Sequence, residues 1–282
     1  MGVATRHRQA FLRQHTVCAF CGGKEAATTI EHCPPRAMFQ HRAWPEGFEF
    51  PSCVRCNHGT DDADALVAML ARMDPFHNNG DQDGKTRGLM AMVNKQYPGM
   101  FAKMMPTATE ARRNNRELGI KPSPGQSNQE AGVVKVTDEM HQAVCVFGRK
   151  LAKAVFYHDV RNVFPNEGCL LMNWFTNADL LREGRYPVFD LLKNVAGNAP
   201  ALYRTGRYLN DQFEYKLSLS PEQHVFLLQA KFGGAFGLAI FGCTTPGLLE
   251  ASVLRLREQS EHEGPFAVLQ STSLETAVSQ TH

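Results

Sequence analysis

The chain has 282 residues, 43% of them hydrophobic, which is enough to build one large domain or two smaller ones. Its net charge of +2 is too small to indicate a nucleic-acid partner by itself. No apolar run approaches the roughly 20 residues that span a bilayer, which excludes a transmembrane helix. Residues 1–15 contain arginines but no apolar core of a signal peptide, so we expect a cytoplasmic protein that does not bind membranes.

Two Cys-x-x-Cys pairs lie in the first part of the chain, and the turn within each pair brings its two sulfurs close together. Two such pairs make up the tetrahedral four-thiolate set of a structural Zn²⁺ site. We therefore predict one zinc ion bound by Cys18, Cys21, Cys53 and Cys56. The remaining cysteines in apolar surroundings are expected to be free thiols, as in a reducing cytoplasm, namely Cys145, Cys169 and Cys243.

The stretch between the cysteine pairs predicts two short strands joined by a loop. Residues 28–30 are β-branched and predict a strand that leads into Glu31, and two prolines then end it. Residues 48–50 alternate between apolar and polar types, as a second strand does. After the second cysteine pair, Thr60 is the predicted N-cap of an amphipathic helix that ends before Pro75.

The rest of the chain predicts a second globular unit after a linker. Residues 76–132 are assigned to a linker with a short helical excursion, of which 106–132 is expected to be a mobile linker or a surface excursion. Residues 133–260 are assigned to an α+β domain that begins with a long helix capped by Thr137. Its predicted strands, which suggest an antiparallel sheet, are 169–175, 212–219, 224–232 and 235–243. Helical patterns occur at 188–195 and 248–256, and residues 261–282 are a predicted polar tail.

The order of the motifs resembles a known family. Cys18-x-x-Cys21, Glu31-His32 and Cys53-x-x-Cys56-Asn57 are similar to the zinc-containing HNH endonucleases, which have a ββα-metal fold. The likeness covers about residues 15–75. It implies an α+β protein in which a zinc-stapled ββα-metal module at residues 1–75 precedes the second domain.

The resemblance also implies a reaction and a role for each site residue. It implies metal-dependent hydrolysis of phosphodiester bonds in nucleic acid, with DNA favoured over RNA and a 5′-phosphate left on the product. His32 is then the general base, since imidazole accepts a proton near neutral pH. Glu31 and Asn57 are the implied ligands of a catalytic Mg²⁺ or Mn²⁺, which prefer oxygen, and His58 is a further candidate ligand.

The excess of basic residues in the first part of the chain predicts a surface that contacts the nucleic acid. Residues 1–60 hold seven Lys and Arg residues against four acidic ones, one of them the implied ligand Glu31. A basic outer surface favours contact with phosphate groups. We assign Arg36, Arg42 and Arg55 to nucleic-acid binding on this basis.

Two departures from the family pattern leave an alternative open. Glu31 stands where the family more usually has Asp, and the middle Asn of the HNH name has no clear counterpart between residues 34 and 51, where His41 is one candidate. The alternative is a non-catalytic zinc-finger module that binds nucleic acid or protein. Replacing His32 separates the two hypotheses, because only a nuclease has cleavage activity to lose.

Overall fold

A computed structural model describes residues 3–73, 83–131, 133–186, 189, 194, 197–222, 224–245 and 266–270 of the chain. These residues form a mixed α+β fold, as predicted. The helices are α1 (Val3–Gln14), α2 (Val54–His58), α3 (Asp61–Arg72), α4 (Thr86–Gln96), α5 (Met100–Met104), α6 (Ala108–Glu117), α7 (Asp138–Val160) and α8 (Asn177–Glu183). The strands are β1 (Thr29–His32), β2 (Glu49–Ser52), β3 (Cys169–Thr176), β4 (Tyr203–Arg204), β5 (Arg207–Tyr208), β6 (Glu214–Leu219), β7 (Val225–Phe232), β8 (Phe236–Cys243) and β9 (Phe266–Gln270).

The largest sheet is antiparallel, with the strand order β6-β7-β8-β3-β9. The four strands predicted in this half of the chain are confirmed as β3, β6, β7 and β8. The polar-tail prediction is wrong for residues 266–270, whose apolar sequence forms the edge strand β9. The helices predicted at 188–195 and 248–256 lie outside the described residues, apart from the single positions 189 and 194.

The two strands predicted between the cysteine pairs are confirmed as an antiparallel hairpin of β1 and β2. The short helix α2 follows β2 directly, and the predicted amphipathic helix is α3. Thr60 stands at the N-cap of α3, as predicted, although its hydroxyl donates to Asp64 Oδ2 (3.0 Å) and caps no backbone N–H group.

The long helix α7 packs between the five-stranded sheet and α3. It begins as predicted, because the Thr137 hydroxyl accepts a hydrogen bond from the backbone N–H of Met140 (3.3 Å). Gly148 allows the close approach to the sheet, since a Cβ there would collide with the sulfur of Met172. None of the helices in the described part of the chain combines the length and apolar character needed to span a bilayer.

The segment predicted as a mobile linker contains the helix α6. Thr107 and Glu110 form a capping box at its start, in which the Thr107 hydroxyl accepts from the Glu110 backbone and the Glu110 carboxylate accepts from Thr107. Such a box satisfies backbone donors that the first turn leaves free. The prediction overlooked this local signal and relied on the polar composition around it.

One hydrophobic core runs through both parts of the chain. Phe48, from the loop before β2, contacts Phe213 with ring centroids 5.7 Å apart, and Phe213 contacts Phe232 of the large sheet at 5.1 Å. The β1–β2 hairpin and the five-stranded sheet therefore stabilise each other by shared apolar burial. Whether residues 1–75 or 133–260 fold independently stays a prediction.

Candidate metal centre and adjoining histidine site

The four predicted zinc ligands converge on one point. The Sγ atoms of Cys18, Cys21, Cys53 and Cys56 all lie within 4.8 Å of one another, and all four residues are buried. Four thiolates in a tetrahedron about Zn²⁺ at about 2.3 Å are separated by just under 4 Å, so a small adjustment accommodates the ion. The donor set and its spacing fit a structural zinc ion.

Local backbone geometry holds the sulfurs in place. Backbone N–H groups donate to Cys18, Cys21 and Cys53 sulfurs at 3.4 Å each, which stabilises thiolate charge. Gly22 has a φ of +66°, and a Cβ there would lie 2.6 Å from Asn166. The Asn166 amide in turn donates to the Cys21 carbonyl (2.8 Å), so only glycine fits this turn.

A buried lysine lies next to the four cysteines. Lys153 of α7 donates from Nζ to the Phe20 carbonyl (2.7 Å), inside the first cysteine turn. Burial lowers the pKa of Lys153 to about 8, while the charges of the neighbouring cysteines oppose this effect. A zinc ion with four thiolates carries a net charge of −2, so a lysine here has the correct sign to compensate it.

Glu31 points into the protein. Its Oε1 accepts a hydrogen bond from the fully buried Nζ of Lys150 on α7 (2.7 Å), which also donates to Asp64 Oδ2 (2.5 Å) and the Thr60 hydroxyl (2.8 Å). Burial raises the pKa of Glu31 to about 7, although Lys150 opposes the shift. The pKa of Lys150 is raised because the two carboxylates outweigh its own burial. Glu31 therefore anchors β1 to α7 and α3 through a buried ion pair.

His32 lies on the opposite face of β1, as strand alternation requires. Its ring contacts Trp44 edge-on at 4.8 Å between centroids. Its Nε2 is 3.5 Å from Glu49 Oε1, and the side chain is 20% exposed. The imidazole is therefore largely buried but retains contact with solvent.

Three arginines surround His32. Arg36 and Arg204 both place their guanidinium groups over the Trp44 ring, at 5.0 and 3.7 Å from its centroid. Burial first, and then the charges of Arg36, Arg204 and Arg42, lower the pKa of His32 to about 4. A neutral imidazole at pH 7 follows from this pKa, and both the arginine charges and the Glu49 carboxylate lie near the ring.

The loop that carries two of these arginines is clamped from α3. Arg72 donates to the backbone carbonyls of Ala37 (2.6 Å) and Phe39 (2.8 Å). It also forms a buried ion pair with Asp83 (2.7 Å), and the hydrogen bond from Arg72 lowers the Asp83 pKa well below its usual range. A buried, fully hydrogen-bonded ion pair holds the loop in one conformation.

The remaining predicted site residues are spread around the hairpin. Asn57 donates from Nδ2 to the Thr29 hydroxyl (2.9 Å) and the Ile30 carbonyl (3.2 Å), which ties α2 to β1. His58 is exposed and 3.2 Å from Asp61. Arg55 lies 3.9 Å from Glu25 near the zinc turn, away from His32. Among the described residues, the four cysteines are the one group of three or more His, Cys, Asp or Glu ligands that converges, so a catalytic Mg²⁺ or Mn²⁺ stays a prediction.

Sequence reasoning missed Lys150, Asp64, Trp44 and Arg204. Lys150 leaves a weak sequence signal, because a lysine among the apolar residues of α7 needs a buried partner. Arg204 leaves none, since it reaches His32 from the far half of the chain.

No known protein family, curated protein or solved structure matches this chain.

Proposed function

We propose that this protein is a zinc-stabilised endonuclease of the HNH type that hydrolyses phosphodiester bonds. The observation that carries the proposal is geometric: the His32 ring contacts Trp44, and Arg36 and Arg204 stand over that same ring, on the hairpin that lies between the two converging cysteine pairs. A neutral imidazole accepts a proton, and arginines bind the phosphate group that is to be cleaved. The motif order described above supports the same assignment.

The chemistry assigned to the pocket is a single displacement at phosphorus. His32 takes a proton from a water molecule, whose oxygen forms a new bond to the phosphorus. The bond to the 3′ oxygen breaks, and that oxygen takes a proton from solvent. Arg36, Arg42 and Arg204 stabilise the negative charge that builds up on the phosphoryl oxygens. The products are a 5′-phosphate and a 3′-hydroxyl.

Substrate binding adjusts the strength of the base. In the free protein burial, together with the neighbouring positive charges, holds the pKa of His32 at about 4. A bound phosphate offsets those charges, so the pKa of His32 rises toward the working pH. Proton transfer to the imidazole becomes more favourable when a substrate is in place.

The two implied ligands of a catalytic divalent ion, Glu31 and Asn57, are both engaged in contacts within the protein. The Glu31 carboxylate already binds Lys150, and the Asn57 amide already holds β1. These contacts do not gather an Mg²⁺ site beside His32, so the proposed steps use the arginines for charge stabilisation. The engagement of Glu31 also favours the second candidate function, a non-catalytic zinc module that binds nucleic acid or protein.

The test is cleavage of plasmid DNA, single-stranded DNA and structured RNA by the purified full chain, with Mg²⁺, Mn²⁺ or EDTA. We expect His32→Ala to lower cleavage about 10²- to 10⁴-fold, as for loss of a general base. Zinc content and the thermal unfolding temperature should stay at wild-type values.

His224→Ala is the matched control, because His224 is an exposed histidine before β7 that contacts Thr244. It should cleave as the wild type does. If the wild-type chain cleaves none of the three substrates, or if His32→Ala cleaves normally, the nuclease proposal fails. Binding without cleavage would favour the zinc-module alternative.

A further inference from the structure

The short hairpin of β4 and β5 presents two exposed tyrosines. Tyr203 pairs across the hairpin with Tyr208, and Arg204 pairs with Arg207. Neighbouring strand residues point to opposite faces, so the tyrosines share one face and the arginines the other. The tyrosine rings are 5.6 Å apart, and the two residues are 48% and 52% exposed.

The hairpin is fixed against the histidine site. The backbone N–H of Thr205 donates to Glu46 Oε1 (2.8 Å), and that of Glu46 donates to the Tyr203 carbonyl (2.9 Å). Arg204 stands over Trp44, the same ring that His32 contacts. The hairpin that carries the tyrosine pair is therefore tied to the segment before β2 and to Trp44.

The hairpin has its own structural supports besides the tyrosine pair. Its turn residues Thr205 and Gly206 have φ values of +50° and +77°, the signs that a two-residue hairpin turn of type I′ requires. At its base, Asn210 accepts from the Leu202 backbone (2.7 Å) and donates to the Pro200 carbonyl (2.8 Å). Two half-exposed rings on so short a hairpin are free to contact a ligand.

We propose that Tyr203 and Tyr208 stack on unpaired bases of a single-stranded nucleic acid whose phosphates contact Arg204. This inference rests on the proposed function for the phosphate-binding role of the adjoining pocket. Aromatic side chains next to a positive groove bind single strands, because an unpaired base offers its flat face for stacking. A duplex hides those faces within its own base stack.

The charges near the hairpin suit a phosphate backbone. Arg204 and Arg207 belong to the hairpin, Arg36 shares the Trp44 ring with Arg204, and the acidic residues Glu46 and Glu49 lie in the same region. Glu46 is occupied by the hairpin backbone, and Glu49 lies against His32. In this proposal the bound nucleic acid runs from the face of the hairpin that carries the tyrosines, past Arg204, to His32.

The test measures binding in the His32→Ala background, so that cleavage does not interfere. Fluorescence anisotropy follows three labelled probes of about 20 nucleotides at low salt, namely oligothymidylate, oligouridylate and a mixed-sequence DNA duplex. The two single-stranded probes distinguish DNA from RNA. The variants are Tyr203→Ala/Tyr208→Ala and, as the matched control, Tyr203→Phe/Tyr208→Phe.

We expect the double alanine variant to bind at least one single-stranded probe about 10- to 100-fold more weakly than the parent. The phenylalanine variant keeps the rings and should bind within about threefold of it. Duplex affinity should change less than single-strand affinity. An unchanged single-strand affinity, or equal losses for duplex and single strands, would overturn the proposal.

A second measurement needs no substitution at the hairpin. Oligothymidylate containing 5-iododeoxyuridine is photocrosslinked to the His32→Ala protein, and the modified peptides are identified by mass spectrometry. Crosslinks at Tyr203 or Tyr208 support the proposal, and crosslinks confined to other parts of the chain contradict it. A halogenated oligouridylate serves in the same way if only RNA binds.

Failure of this inference differs from failure of the proposed function. Tyrosine-dependent binding by a chain that never cleaves would sustain the inference and refute the nuclease. Cleavage that depends on His32 but not on the tyrosines would support the nuclease and refute the inference about the tyrosines.

Discussion

Glu31 and His32 are adjacent in sequence but lie in opposite electrostatic surroundings. Glu31 faces a buried lysine, and its pKa is raised to about 7 first by burial. His32 faces arginines, and its pKa is lowered to about 4 by burial and those charges. The strand alternation that separates them gives one residue an anchoring contact and leaves the other accessible to a substrate.

Replacement of Lys150 by Met tests the anchoring contact. It leaves Glu31 and Asp64 buried without a counter-charge, so we expect a loss of about 3–5 kcal/mol in the free energy of unfolding. The loss should be larger at pH 8 than at pH 5. The folded-state pKa of Glu31, about 7, lies above its ordinary value of 4.5, so its contribution to stability is lost as pH rises between those two values. Removing Lys150 takes away a charge that opposes the raised pKa, so the pKa of Glu31 rises further in the variant and the difference between the two proteins grows as pH rises past 7.

Urea unfolding at both pH values measures this effect. The matched control is Lys103→Met, which removes an exposed lysine that pairs with Glu139 at the surface. Such pairs contribute at most about 1 kcal/mol. Equal, small losses in the two variants would show that the buried ion pair is not an anchor.

At the scale of elements, two sets of contacts hold the segments around the site together. The four-cysteine cluster joins the turn before β1 to the start of α2, and Arg72 with Asp83 clamps the loop after β1. In that loop His41 and Arg42 have φ values of +57° and +55°, which non-glycine residues rarely adopt. The Asp83 carboxylate accepts a hydrogen bond from the His41 backbone N–H (2.8 Å), so the clamp contacts this strained stretch directly.

Replacement of Cys53 by Ser tests the role of the four-cysteine cluster. We expect one zinc ion per wild-type chain and loss of that ion in the variant, with partial unfolding or aggregation, because metal binding and folding are coupled. Elemental analysis and circular dichroism provide the measurements. Cys145→Ser, at a half-buried thiol outside the cluster, should retain both zinc and fold. A wild-type chain purified without any zinc would refute the assignment.

At the scale of the whole molecule, the basic pocket is assembled from both halves of the chain. Arg36 and Arg42 come from the segment after β1, whereas Arg204 comes from the β4–β5 hairpin. The continuous core keeps these segments together. A fragment ending near residue 75 would lack both Lys150 and Arg204, so the predicted first domain does not contain the whole site.

Charge reversal at Arg36 tests the electrostatic contribution of this pocket. Arg36→Glu should weaken binding to all nucleic-acid sequences alike and reduce the slope of log affinity against log salt, because fewer counterions are released. Arg113→Glu is the control, since Arg113 is exposed on α6 and pairs only loosely with Glu117 (4.0 Å). Affinity that does not respond to salt in the wild type would contradict the model of phosphate contacts.

The sequence by itself determined the features that depend on local spacing. The cysteine pairs, the hairpin between them, α3, α7 and four strands of the large sheet all follow from patterns within a few residues. The fold class followed from their order along the chain. The error at α6 arose because composition outweighed a local capping signal.

Tertiary structure alone decided what surrounds each site residue. Lys150 reaches Glu31 across 119 positions of sequence, and Arg204 approaches His32 from the other half of the chain. No periodicity encodes such contacts, because they depend on how helices and sheets pack around a shared core. The sequence could name the candidate base and the zinc ligands, but only packing decided which charges stand beside each of them.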